Sequence, residues 1–231
     1  MHSGFWRERL HLPAYRVGEA AVYAHLSPGT VSRWSQTYGE QKRVTVPRAK
    51  RKALSYLQLI EIAVVAAMRE EGVKLQEIKR AREFFVDKLG LDYPFAQARF
   101  KTDGVDILVD ADGPDGQPLR SKLIAANHNG QFVWSDFLKK RLNEFNYENG
   151  GEVLSWKVNG NGSRIEIDPQ ISFGAPQTSG VPTWIIKDRW KQGEGIGDIA
   201  DDFGLEEDEV ADALKFEKIT LDDARPYRWS N

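Results

Sequence analysis

Apolar residues recur at helical spacing near both ends of the chain and at strand spacing between them. Val17, Ala20, Ala21 and Ala24 stand at i, i+3, i+4 and i+7, which predicts a short helix with one small apolar face. Ser27-Pro28 follows, a preferred N-cap ahead of a proline whose missing N–H has no partner in a first turn, so a second helix is expected from 28 to about 36. It should bury Val31 and Trp34 and turn Thr30, Ser32, Arg33, Gln36 and Thr37 outward. Two short helices joined by so few residues predict a helix-turn-helix. Gly39, then Lys42-Arg43 beside the alternating Val44 and Val46, predict a small β-wing. A longer helix is expected near 55–70, closed by Gly72 as its C′ residue. Leu75, Ile78, Ala81, Arg82 and Phe85 mark the next.

Between about 91 and 168 the period changes to two. "GVDILVD" and "LRSKLIA" flank "ADGPDGQP" and predict a hairpin. A helix is expected over "VWSDFLKKRLNEF", with Trp134, Phe137, Leu138, Leu142 and Phe145 on one face. Two further strands are expected around the Asn-Gly-Asn-Gly turn of "GEVLSWKVNGNGSRIEID". Near the C-terminus Ile196, Ile199, Ala200 and Phe203 form a helical face, Gly204 suits its end, and Val210, Ala213 and Leu214 face the last helix. The expected fold class is α+β and helix-rich: a winged helix-turn-helix over 1–90, a mixed β/α segment over 91–168, a small acidic helical domain over 169–218 and a tail over 219–231.

Charge separates the two helix pairs. The 231 residues carry a net charge of −2, but residues 1–52 hold +7, residues 53–171 hold −3 and residues 172–231 hold −6. On the N-terminal pair the outward Thr, Ser, Arg and Gln suit base edges and phosphates. Lys42, Arg43, Arg48, Lys50, Arg51 and Lys52 suit the phosphate backbone. Arg33 is the candidate for a base contact; Thr30, Ser32, Gln36, Lys42 and Arg43 complete the candidate DNA-binding set. Residues 193–214, "GEGIGDIADDFGLEEDEVADAL", have the outline of a second helix-turn-helix but hold nine acids and no Lys or Arg. Carboxylates at the start of a recognition helix repel phosphates and release no counterions, so this pair is expected to be a scaffold or a docking surface for a basic protein.

Catalysis finds little support in the sequence. Zero cysteines exclude disulfides and thiolate chemistry, and four scattered histidines offer no metal-ligand spacing. "DADGPDG" lacks the residues that a calcium loop requires at its fifth, sixth and twelfth positions. "GEGIG" lacks the preceding strand of a dinucleotide site. No apolar run reaches the ~18–20 residues that span a bilayer, and the first residues lack the apolar core of a signal peptide. A cytoplasmic, non-enzymatic protein without cofactor is expected.

The residues "YRVGEAA…LSPGTVSRW", the basic wing and "LSYLQLIEI…REEGVKLQEIKRA" are similar to the DNA-binding head of MerR-like regulators over roughly the first 90 residues. No cysteines and no long dimerisation helix follow, so that family's effector sensing is not carried over. Ile171, Gly174, Pro176, Gly180, Pro182, Thr183, Gly193, Glu194, Ile196, Ile199, Ala200, Phe203, Val210, Ala213 and Leu214 resemble, in order, the domain of unknown function (family 433) of VapB-type antitoxins. Gly195 and Gly197 depart from it and should each weaken their helix by roughly 0.5–1 kcal/mol relative to Ala. The resemblance implies a type II antitoxin that binds operator DNA as a homodimer for autorepression and neutralises a toxin, usually a metal-dependent ribonuclease. Arg225 and Arg228 would then pair with the toxin's metal-holding carboxylates, and Tyr227 and Trp229 would anchor the tail. A MerR-like regulator responding to a small ligand is the alternative.

Overall fold

The longest apolar run of the chain becomes its most buried helix. The structure is a computed structural model and describes residues 5–35, 44–47, 49, 52–97, 124–126, 132–134, 143–147, 153–160 and 162–221. The chain divides into two units, Met1–Leu154 and Ser155–Asn231. In the first, α1 (Phe5–Arg9), α2 (Val17–Tyr23), α3 (Pro28–Ser35), α4 (Tyr56–Glu70), α5 (Leu75–Leu89) and α6 (Pro94–Gln97) precede β1 (Ile124–Ala126), β2 (Phe132–Trp134) and β3 (Phe145–Tyr147).

The centre of this unit is α4, on which α2, α3, α5 and α6 pack. Its residues 56–68 are all buried, so polar and charged members of the helix need internal partners. Ser55 Oγ accepts from the Gln58 amide at 3.3 Å while the Ser55 amide donates to Gln58 Oε1 at 2.9 Å, a capping box that starts the helix. Gln58 Nε2 reaches on to the Pro47 carbonyl at 2.8 Å. Val31, Ile78, Phe85 and Phe95 bring the faces of α3, α5 and α6 to the same core, each at most 1% exposed. A bridge between Tyr15 and Leu54 clips the chain entering α2 to the chain entering α4.

One expectation for the middle of the chain is corrected at its ends. The helix expected over 133–145 gives way to strand at its two ends, Phe132–Trp134 and Phe145–Tyr147; residues 135–142 lie outside the described residues. Trp134 and Phe145, the outermost members of the expected helical face, sit instead on strands, whose pleated surface aromatic residues favour. β1 pairs with β2, Ala125 opposite Val133; the expected partner strand "GVDILVD" lies outside the described residues.

The second unit begins inside β4 (Val153–Lys157) and continues through β5 (Glu166–Ile167), β6 (Pro176–Thr178), β7 (Val181–Pro182), α7 (Thr183–Lys191), α8 (Ile196–Phe203) and α9 (Glu207–Phe216). The antiparallel ladder β4-β5-β6-β7 pairs Trp156 with Ile167, Ile167 with Pro176 and Thr178 with Val181. The expected turn between β4 and β5 is present: the Val158 amide donates to the Ile165 carbonyl at 2.9 Å, and in the loop they close Asn159 and Gly160 take positive φ, 76° and 107°. The β6–β7 hairpin and α7 were not legible in the hydrophobic pattern, so this domain is mixed rather than purely helical. Its core is Ile165, Ile186, Ile199, Ala200, Leu205, Val210, Ala213 and Leu214.

Candidate nucleic-acid interface and acidic helix pair

The helix pair α2–α3 is built by local signals. Ala20 and Ala21 bury the inner face of α2. His25 takes a left-handed φ of 52° after the helix, and the Leu26 amide donates to the Ala21 carbonyl at 2.8 Å, closing the turn. Ser27 is the expected cap, its Oγ accepting the Thr30 amide at 3.1 Å. Inside α3, Val31 and Ser35 are buried and Ser35 Oγ donates to the Val31 carbonyl at 2.8 Å.

Of the candidate DNA-binding residues, Arg33 is exposed and Thr30 and Ser32 are half-buried. Thr30 Oγ1 lies 3.0 Å from Ser27 Oγ and accepts from Arg33 Nη2 at 3.4 Å. Trp34 is half-buried, not part of the core. Gln36, Lys42 and Arg43 lie outside the described residues, as does the start of the expected wing. Its described remainder, 44–47, is bend and irregular chain, not strand. There Val44 is buried, Thr45 Oγ1 donates to the Trp34 carbonyl at 2.8 Å, and Pro47 offers only a carbonyl, so the segment is stitched to its neighbouring helices.

The acidic pair α8–α9 is joined by Gly204, Leu205 and Glu206. Gly204 has φ 66°, the left-handed ending that glycine tolerates, and the Leu205 amide donates to the Ala200 carbonyl at 2.9 Å. Six of the nine acids in this stretch have partners within the unit. The Asp198 carboxylate accepts the Gly195 amide at 3.1 Å, and Glu209 accepts the Glu206 amide at 2.9 Å, each at the start of its own helix. Glu209 also accepts the Ser179 hydroxyl at 2.6 Å; that bond first, then the Glu206 amide, lowers its pKa. Glu194 and Asp202 both pair with the Arg189 guanidinium, which stacks 5.1 Å above the Phe203 ring and is held charged by them. Asp208 lies 3.6 Å from Arg164, and Asp212 lies 3.5 Å from Lys215. Asp201, Glu206 and Glu207 remain as exposed acids.

Sequence reasoning missed Arg189 because it lies in α7, a helix with only Thr183 and Ile186 buried. It also missed Glu217, whose carboxylate accepts from Thr183 Oγ1 at 2.7 Å and pairs with Lys187 Nζ at 2.5 Å. Gly195 is the N-cap of α8 rather than an interior residue, so the expected helix penalty does not apply there. Arg225, Tyr227, Arg228 and Trp229 lie outside the described residues. Among the described residues no helix is long and apolar enough to cross a membrane, and no three His, Asp or Glu side chains converge as metal ligands.

Residues 165–216 match the family described as "Protein of unknown function (DUF433)", a span that runs from β5 through α9. The chain is similar to the Mycobacterium tuberculosis protein named "Putative antitoxin VapB45", 23% identical over 229 residues that cover 89% of this chain and 94% of that protein. The fold is similar to that of the X-ray crystal structure of Rv2018 from Mycobacterium tuberculosis, with a TM-score of 0.70 and 23% identity over 89% of this chain and 99% of that one.

Proposed function

We propose that this protein is a non-catalytic antitoxin of a type II toxin–antitoxin system, acting in the cytoplasm. The observation that carries the reading is the near full-length similarity to the protein named "Putative antitoxin VapB45". In this reading α2 and α3 recognise an operator in the protein's own operon. Arg33 reads a base, while Thr30, Ser32, Gln36, Lys42 and Arg43 support it or engage the backbone. The protein binds as a homodimer on a palindromic site. The exposed Arg33 and the half-buried Thr30 and Ser32 support this assignment.

The second unit and the tail bind the toxin, a metal-dependent ribonuclease. Arg225 and Arg228 pair with its active-site carboxylates, and Tyr227 and Trp229 supply apolar anchors. Glu194, Asp198, Asp202 and Glu209 are engaged by helix starts, Ser179 and Arg189, which ties part of that charge to the unit's own structure and supports assigning toxin binding to the tail. Co-expression with the product of the adjacent gene tests the reading. That product should arrest growth alone, and the full chain should restore growth and copurify with it. A harmless neighbour refutes the antitoxin role. A chain ending at Leu221 should fail to neutralise; equal neutralisation would sink the assignment of the tail.

A further inference from the structure

We infer that Thr30 is a positioning residue that acts through Arg33, and that Ser27, Thr30 and Arg33 form one hydrogen-bonded chain setting the guanidinium. The inference rests on the DNA-reading role proposed for α3. Thr30 and Arg33 are separated by three residues and share one face of the helix. Arg33 Nη2 donates to Thr30 Oγ1 at 3.4 Å, and Thr30 Oγ1 meets Ser27 Oγ at 3.0 Å. Ser27 Oγ is itself fixed by accepting the Thr30 amide at 3.1 Å. The Thr30 hydroxyl is therefore committed on two sides, and its side chain is half-buried where Arg33 is exposed.

A guanidinium has five N–H donors, and Thr30 engages one of them. The remaining four include a pair for the two-point contact with guanine O6 and N7. Arginine loses much rotamer freedom when it docks, and a side chain tethered before binding loses less. The contact with Ser27 Oγ at 3.0 Å, rather than the γ-methyl, holds the Thr30 hydroxyl beside Arg33. The result is specificity without a base contact by Thr30.

The test uses the full chain and a short duplex enriched by the wild-type protein from a random-sequence library, competed against each single-base variant of that duplex. Thr30→Val should relax preference by about threefold to tenfold at the same base pair that Arg33→Ala relaxes. The Thr30→Val/Arg33→Ala double variant should discriminate no worse than Arg33→Ala, and Thr30→Ser should keep the wild-type preference. Thr30→Ala, a better helix former, gives the same readout should valine loosen α3. Relaxed preference at a different base pair, multiplicative effects of the two substitutions, or wild-type behaviour of both Thr30→Val and Thr30→Ala would overturn the inference. No enrichment from the library, or wild-type discrimination by Arg33→Ala, would instead fail the DNA-reading role of Arg33, and this inference with it.

Discussion

Glu61 should make the first unit less stable as pH rises through neutrality. It lies in the middle of α4 with no exposed surface. Its Oε1 accepts the Phe95 and Ala96 amides at 2.6 and 3.3 Å, and Arg82 Nε is 4.0 Å from Oε2. Burial outweighs these partners and raises the carboxyl pKa from 4.5 to about 7. The folded state therefore holds a proton that the unfolded chain has already released. The associated stability is fully present below pH 4.5 and is lost as pH rises through about 7. At about 1.4 kcal/mol per pKa unit, the loss is about 3 kcal/mol. Glu61→Gln retains a carbonyl oxygen for the two amides and cannot ionise. Urea unfolding read by pulse proteolysis of α4 peptides, at several pH values from acid to mildly alkaline, isolates the contribution as wild type minus variant. That difference should move against the wild type as pH rises. Parallel curves would refute the reasoning, and a wild type that gains on the variant would show that the Arg82 pair prevails over burial.

Three further substitutions probe the two helix pairs. Arg33→Ala should weaken operator binding by about 1–3 kcal/mol and relax preference at one base pair. A uniform loss across sequences with a shallower salt dependence, read by fluorescence anisotropy, would make Arg33 a phosphate contact instead. Gly204→Ala should destabilise the second unit by about 1 kcal/mol, because a Cβ there meets no atom within 4 Å and only the left-handed φ of 66° opposes it. An unchanged denaturation midpoint would contradict that reading of the turn. Leu214→Ala empties a fully buried position of α9 and should cost about 2–5 kcal/mol in urea unfolding of the same unit; a loss below 1 kcal/mol would mean that the core collapses to fill the space.

Much of the two helix pairs was legible because their signals act within a turn or two. Ser27 caps α3 through a residue three positions on. Gly204 ends α8 where the pattern predicted, and Val210, Ala213 and Leu214 are buried along α9. Periodicity failed where short apolar triplets fit two periods. Trp134 and Phe145 fitted the ends of a helical face yet lie in strands, because a strand is settled by the partner that completes its ladder.

Local sequence thus determined the caps, the helix faces, the β4–β5 turn and the separation of a basic head from an acidic end. Tertiary structure decided what that charge does. Glu217 holds α7 from 34 residues beyond Thr183, and Asp202 grips Arg189 from 13 residues away. Ser179 reaches Glu209 across 30 residues. Composition counts nine carboxylates over 193–214; only folding brings hydroxyls, amides, ammonium and guanidinium groups within reach of six of them.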